Sequence, residues 1–194
     1  MKKTYNSNLL DKTLAFIFII IFIVFAIYFT ITELKETQST FNRQRITFTK
    51  KIAHEIFDLI EKNIDVSSKL YNLTAENSVA YAVIQLENGS LFARSEGYAL
   101  PVGVFEIAET KALKTDFLIL TSFKDTSERL SIVEAAVPIF TNGKKKYILR
   151  LGFLKNAEEE RVSHIKLKNT LVFALIFIFL LSVRTIGRFD IPDI

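Results

Sequence analysis

The sequence predicts a membrane-anchored α+β domain: a long N-terminal helix packed on a five-stranded antiparallel sheet, flanked by two transmembrane helices. Three observations predict it. Two uncharged apolar blocks, Thr13 to Thr32 (TLAFIFIIIFIVFAIYFTIT) and Asn169 to Val183 (NTLVFALIFIFLLSV), lie near the ends of the 194-residue chain. Between them the apolar period changes, from helical steps of three and four before Asn72 to alternation after it. Two Asn-Gly pairs, Asn88-Gly89 and Asn142-Gly143, sit between β-rich runs, where tight hairpins need positive φ angles.

A bilayer core of about 30 Å takes roughly twenty apolar residues in a helix, so the first block spans unaided. The second reaches full length, out to Gly187, when Lys168 and Arg184 extend their charged heads to the two interfaces. A buried core helix does not suit Thr13 to Thr32, because Phe and Ile cover every face. Lys2 and Lys3 also resemble the start of a secretory signal peptide. The apolar run is too long for one, however, and Ile31-Thr32-Glu33-Leu34 offers no small-x-small cleavage site, so a retained anchor is predicted.

The expected organisation is a tail at 1–12, a first span at 13–32, an outer domain at 33–168, a second span at 169–187 and a short tail at 188–194. The short tails set orientation. Lys2, Lys3 and Lys12 precede the first span and Arg184 and Arg188 follow the second, which places both termini in the cytoplasm and the domain outside the inner membrane, although Arg161, Lys166 and Lys168 crowd the other end of the second span. The middle carries 20 Lys plus Arg against 18 Asp plus Glu, so part of the chain's net charge of +4 belongs to the tails and no nucleic-acid partner is expected. The absence of cysteine excludes a disulfide framework and a thiolate metal site. What remains between the spans is too small for a kinase, cyclase or transporter core.

Within the outer domain, Phe48, Ile52, Ile56, Leu59, Ile60, Asn63 and Val66 fall at helical steps, and no Pro or Gly occurs between Thr13 and Gly89. One unbroken helix is therefore expected over 33–72, continuous with the first span. The sheet region follows over 79–154. Val79 to Leu86 and Leu91 to Ser95 read as a hairpin, Gly97 to Gly103 as a loop and Val104 to Lys114 as a short helix. Phe117 to Phe123, Leu130 to Phe140 and Tyr147 to Leu154 read as three further strands, with Lys144, Lys145 and Lys146 as a solvated hairpin end. Asn156 is expected to cap a last helix, with Glu159 closing a capping box and Glu158 and Glu160 suiting the positive helix end. That helix runs through Val162, Ile165 and Leu167 into the second span without a breaker.

Two segments carry a family likeness. VAYAVIQLENGSLFARS, Val79 to Ser95, is similar to a strand, a turn with Gly, and a strand closing on serine; IVEAAVPIFTNGKKKYILRLGFL, Ile132 to Leu154, looks like a strand with an alanine-valine-proline-isoleucine stretch, a polar turn, and a strand ending in leucine-arginine-leucine-glycine. With the order of elements from Thr13 to Gly187, this resembles the single Cache domain, the PAS-like extracytoplasmic sensor of bacterial histidine kinases, chemoreceptors and diguanylate cyclases. The resemblance implies a sensor input module of a two-component or chemotaxis receptor that reports a ligand through its membrane helices. Two departures stand out. Members of these receptor families continue into a HAMP helix pair and an output domain, whereas this chain stops at Ile194, so the output half is expected to be missing or supplied by another membrane signalling partner. The tyrosine, tryptophan and aspartate constellation of the amine-binding members is also absent, which leaves the ligand class open.

No catalytic motif is found, and the chain is not expected to be an enzyme. His54-Glu55 begins a metalloprotease-like string, but Asp58 stands where its second histidine belongs. His164 reads as an exposed helix residue, Gly89 and Gly143 as turn glycines, and no cofactor or metal is expected. The resemblance places a ligand pocket on one face of the sheet, beneath the segment between Gly97 and Lys114. Alternation then nominates side chains. Leu149, Leu151 and Phe153 suit the core, which leaves Arg150 on the other face; Glu134 interrupts an apolar strand, and Tyr81 alternates with Ala80 and Ala82. Arg94, Tyr98 and Thr121 complete the candidates. Arg150 or Arg94 would hold the carboxylate of a small organic ligand, such as a carboxylic acid or an amino acid, with tyrosines closing over its apolar body. Equally, Arg150 and Glu134 form an ion pair between neighbouring strands with no ligand. A homodimer in the lipid bilayer is expected of a receptor. The alternative is a bitopic scaffold or assembly protein whose outer domain binds a partner protein.

Overall fold

The structure, a computed structural model, describes residues 3–76, 79–96, 112–114, 116–125, 130–141 and 143–186. It contains the helices α1 (Lys3–Glu61), α2 (Ser67–Glu76) and α3 (Asn156–Ile186), and the strands β1 (Val79–Leu86), β2 (Leu91–Glu96), β3 (Ile119–Asp125), β4 (Leu130–Thr141) and β5 (Lys144–Leu154). The strands form one antiparallel sheet in the order β2-β1-β5-β4-β3. The class is α+β, as the sequence predicts. Most of the short helix expected over Val104 to Lys114, and all of the loop at Gly97 to Gly103, lie outside the described residues. The chain divides into two compact units, residues 39–159 and the two terminal segments 1–38 with 160–194, and it passes from one to the other inside α1 and inside α3.

In the first unit, one face of the sheet receives the helices. Ile52, Ala53 and Ile56 of α1 and Leu70 and Leu73 of α2 recur at the spacing of one helix face and pack on Ala82, Ile84, Leu149, Leu151 and Phe153. Burying each large aliphatic side chain contributes about 1.5–3 kcal/mol, so this layer is the main source of the unit's stability. The β1–β2 turn is closed by Gly89 at φ 85°, whose N–H donates to the Leu86 carbonyl at 2.9 Å, while the Asn88 side chain accepts from the Ser90 N–H at 3.0 Å. Lys145 departs from the expected solvated end. Its ammonium donates to the Leu113 carbonyl at 3.0 Å and to Asp116 at 3.2 Å, tying the segment before β3 to β5.

The unbroken helix expected over 33–72 is interrupted. Asn63 adopts φ 53°, its N–H donates to the Ile60 carbonyl at 3.1 Å, and the Ile64 N–H donates to the Leu59 carbonyl at 2.9 Å. This paired closure is a Schellman ending, with asparagine in the left-handed position that glycine usually fills. Two residues on, Asp65 accepts from the Ser67 N–H and hydroxyl, which hold its carboxyl below the usual range and start α2. The break turns α2 back so that Leu70 and Leu73 reach the same core as Ile52 and Ile56.

The start of α3 also differs from expectation. The Glu159 N–H donates to the Lys155 carbonyl at 2.8 Å, which makes Lys155 the cap and moves Asn156 inside the first turn. Glu158 is buried and lies 2.7 Å from Arg45 of α1. The acidic run therefore holds a tertiary ion pair besides its favourable place at the positive helix end.

In the second unit, α1 and α3 each carry a stretch long and apolar enough to cross a membrane. Phe173 meets Phe22 edge-on at 5.9 Å and Phe29 at 6.1 Å, and Phe177 stacks on Phe22 at 6.3 Å. Above these rings, Lys168 does not simply extend toward an interface: its ammonium donates to Glu33 Oε1 at 2.6 Å. Asn169, 3% exposed, donates to Glu33 Oε2 at 2.9 Å and to the Thr30 hydroxyl at 3.3 Å. A polar clasp thus fixes the register of the two helices, since sliding either one would strand a buried amide.

Replacing Asn63 tests the helix ending. Asn63→Val should lower stability by about 1–2 kcal/mol through the left-handed penalty, whereas Asn63→Gly should match the parent within a few tenths. Equal melting curves for the valine variant and the parent would contradict the assignment.

Candidate functional site

The register of the sheet brings the nominated residues together. Cross-strand partners place Glu96, Tyr81, Gly152, Glu134 and Thr121 in one row across all five strands, and Arg94, Val83, Arg150, Ala136 and Ile119 in the next. Directly paired residues share a face. Tyr81, Arg94, Thr121, Glu134 and Arg150 consequently lie on one face in two adjacent rows, opposite the face covered by α1 and α2. Tyr98 lies outside the described residues. Part of this face is covered by Ala112, which packs with Ala136 and Ile148.

At the centre, Arg150 and Glu134 are each 1% exposed. The Arg150 Nη2 and Nε groups both donate to Glu134 Oε2, at 2.8 and 3.1 Å, and Nη1 donates to Gln85 Oε1 at 3.1 Å. The Tyr81 hydroxyl donates to the same carboxylate oxygen at 2.5 Å. Burial, then the adjacent Glu134 charge, raise the Tyr81 phenol far above its ordinary range, so it acts as a donor and not as a base. Of the two readings of Arg150 and Glu134, the ion pair is present. Arg150 is committed to Glu134 and Gln85 and does not stand as a free fork for a ligand carboxylate. Among the described residues three donors converge on Oε2, while Glu134 Oε1 is buried and accepts no hydrogen bond. Leaving such an acceptor unmet costs roughly 1–3 kcal/mol.

Two residues complete this cluster that the sequence reading did not single out. Gly152 lies directly between Tyr81 and Glu134 in the register, and a Cβ there would sit 2.1 Å from the Tyr81 ring. The bare glycine lets the ring cross β5 to reach the carboxylate. A glycine inside a strand marks such a close approach and is the signal available in the sequence. Gln85 is the one polar side chain inside the VAYAVIQL run, two steps of alternation from Tyr81, and on that ground was also legible.

The weaker candidates are placed less centrally. Arg94, on the edge strand β2, is exposed and pairs with Glu96. Thr121 is half-buried on β3, beside Glu134 in register. His54 is exposed on α1, and His164, also exposed, lies 3.7 Å from Glu160. Among the described residues no group of three His, Asp or Glu side chains is placed to hold a metal ion.

Among solved structures, the chain is similar to the ligand-binding domain of the Campylobacter jejuni chemoreceptor Tlp3 in complex with L-valine, at 21% identity over 66% of this chain and 60% of that one, with a TM-score of 0.50. The fold is that of a chemoreceptor sensory domain. The Tlp3 domain with L-norvaline gives 23% identity, 66% and 58% coverage and a TM-score of 0.49. The ligand-binding domain of the Pseudomonas aeruginosa PAO1 amino acid chemoreceptor PctC with GABA gives 18%, 65% and 56%, and 0.48. The chain spans about three fifths of the length of these sensory domains. No protein-family model matches the chain, and no curated protein does.

Two changes test the cluster within this sensory fold. Gly152→Ala should drive the added methyl into the Tyr81 ring and lower stability by about 1–3 kcal/mol, the usual cost of overpacking, measured by denaturant titration. An unchanged midpoint would show that the ring does not cross the glycine. The second concerns alkaline pH. Because the folded-state phenol is raised above its ordinary value of 10.0, its contribution is intact below pH 10 and is lost as pH rises beyond it, where the unfolded chain releases the proton and the folded chain keeps it. Tyr81→Phe should therefore lose stability less steeply above pH 10 than the parent does; equal slopes would contradict the burial of this hydroxyl.

Proposed function

We propose that this chain is a membrane-bound sensor input module whose outer domain binds a small ligand on the polar face of the sheet and reports it through α1 and α3. The observation that carries the reading is the buried Tyr81, Glu134 and Arg150 cluster, set on one face of a sheet with the fold of a chemoreceptor sensory domain. A cluster of this kind is expensive unless it is fully satisfied, and Glu134 Oε1 is the acceptor a ligand donor would complete. The solved relatives are complexes with L-valine, L-norvaline and GABA, which makes amino acids the first class to test here, with simple carboxylates second. Arg150 acts in this reading by orienting Glu134, and a ligand carboxylate would have to be held elsewhere on the face.

The route to the membrane follows from the chain path. The polypeptide leaves the sheet-bearing unit inside α1 and inside α3, so a change in that unit reaches the membrane segments through helix and not through a loop. A ligand that favours one of two arrangements shifts their populations by its difference in affinity for them. We place the sheet-bearing unit outside the inner membrane with both termini in the cytoplasm, on the positive residues of the two tails, and assign it a receptor-like homodimer. The role is non-enzymatic; output belongs to a signalling domain or partner.

The full chain in lipid nanodiscs, melted in the presence of single amino acids and small carboxylates, tests the proposal. At a hundred times its dissociation constant a specific ligand should stabilise the fold by about 2.7 kcal/mol. Glu134→Gln should abolish that stabilisation while the chain still folds. No shift with any compound, or a shift that survives Glu134→Gln, would contradict the assignment.

A further inference from the structure

A cavity of about 320 Å³ opens between α1, the end of β5 and the first turn of α3, walled by Phe41, Phe48, Phe153, Leu154 and Ala157. Arg45 and Glu158 line it as well, and both are more than nine-tenths buried. They form an ion pair, with Arg45 Nη1 2.7 Å from Glu158 Oε2. The same Nη1 donates to Asn42 at 3.4 Å, and the guanidinium sits over the Phe41 ring at 5.7 Å from its centre.

A cleft of this size with apolar walls and a few oriented polar groups is the common form of a small-molecule site. We propose that this cavity binds a small neutral amphiphile, with an apolar body against the phenylalanines and one group, a hydroxyl or primary amide, that accepts from Arg45 and donates to Glu158. The charges favour a neutral head. Arg45 and Glu158 cancel each other, so an anionic head gains from Arg45 what it loses to Glu158, a cationic head does the reverse, and either one is desolvated on entry. None of Tyr81, Glu134 and Arg150 lines the cavity, so the proposal stands whether or not that cluster binds a ligand. It also adjoins residues 41–48 of α1 and 157–158 of α3, the two helices that leave the unit, so an occupant would bear on both.

The chain contains no tryptophan, so a single introduced one reports the cavity alone. Phe41→Trp, at the half-buried rim, is made in the full chain and reconstituted in nanodiscs; Leu154→Trp serves as a second reporter if the first fails to fold. The probes are cyclohexanol, cyclohexanecarboxylate and cyclohexylamine. A saturable blue shift with cyclohexanol, at least tenfold weaker apparent affinity for the two charged analogues, and loss of the response on adding Ala157→Phe would support the site. An equal response to all three probes, a response that rises linearly without saturating, or one that survives Ala157→Phe would overturn it. Silence from both reporters would mean that water alone fills the cavity and would overturn it too.

Discussion

The carboxylate of Glu134 is the point on which the sheet-bearing unit depends. A charged pair taken out of water gains little net stability, because desolvation offsets most of the attraction, but removing one partner costs about 3–5 kcal/mol. Everything near the pair is arranged to keep it intact. Tyr81 reaches Glu134 across Gly152, Arg150 reaches it diagonally from β5, and Gln85 holds the guanidinium from β1. Three contacts from two strands converge on a third and a fourth ties those two strands together, so the register of β1, β5 and β4 cannot slip by one residue without breaking the network.

The two faces of the sheet therefore do different physical work. The helix-covered face is an apolar layer of Ile, Leu and Val, tolerant in detail and responsible for most of the burial energy. The other face carries a polar network whose partners are fixed by direction, and in which, among the described residues, Glu134 Oε1 accepts no hydrogen bond. The Glu33, Lys168, Asn169 and Thr30 clasp plays a comparable role in the other unit, because directional polar contacts fix a register that apolar helix surfaces alone leave loose.

Much of this was legible in the sequence wherever the pattern is local. Alternation located β1 and the start of β2 at their observed residues, and the hairpin glycine at position 89 has the positive φ its turn requires. Alternation also separated Arg150 from Leu149 and Leu151 and so found the polar face. The features that were not legible depend on residues far apart in the chain. Asn63 sits at a helical step and differs from a core position only by what Ile64 and Leu59 do around it. Arg45 finds Glu158, and Glu33 finds Lys168 and Asn169, across the whole intervening domain, where no spacing rule applies. Gly152 had a local signal, yet its meaning required knowing which ring would lie above it.

Glu134 and Arg150 act as one unit that holds the register of this face of the sheet. A double-mutant cycle in the reconstituted chain, with Glu134→Met, Arg150→Met and the two combined, measures this directly by denaturant unfolding. Each single change should cost about 3–5 kcal/mol, and the double variant should recover a large part of that loss, because two apolar groups leave no charge unpaired. Additive losses in the double variant would contradict it, since they would mean that the two side chains contribute independently and that the pair is not what organises this face.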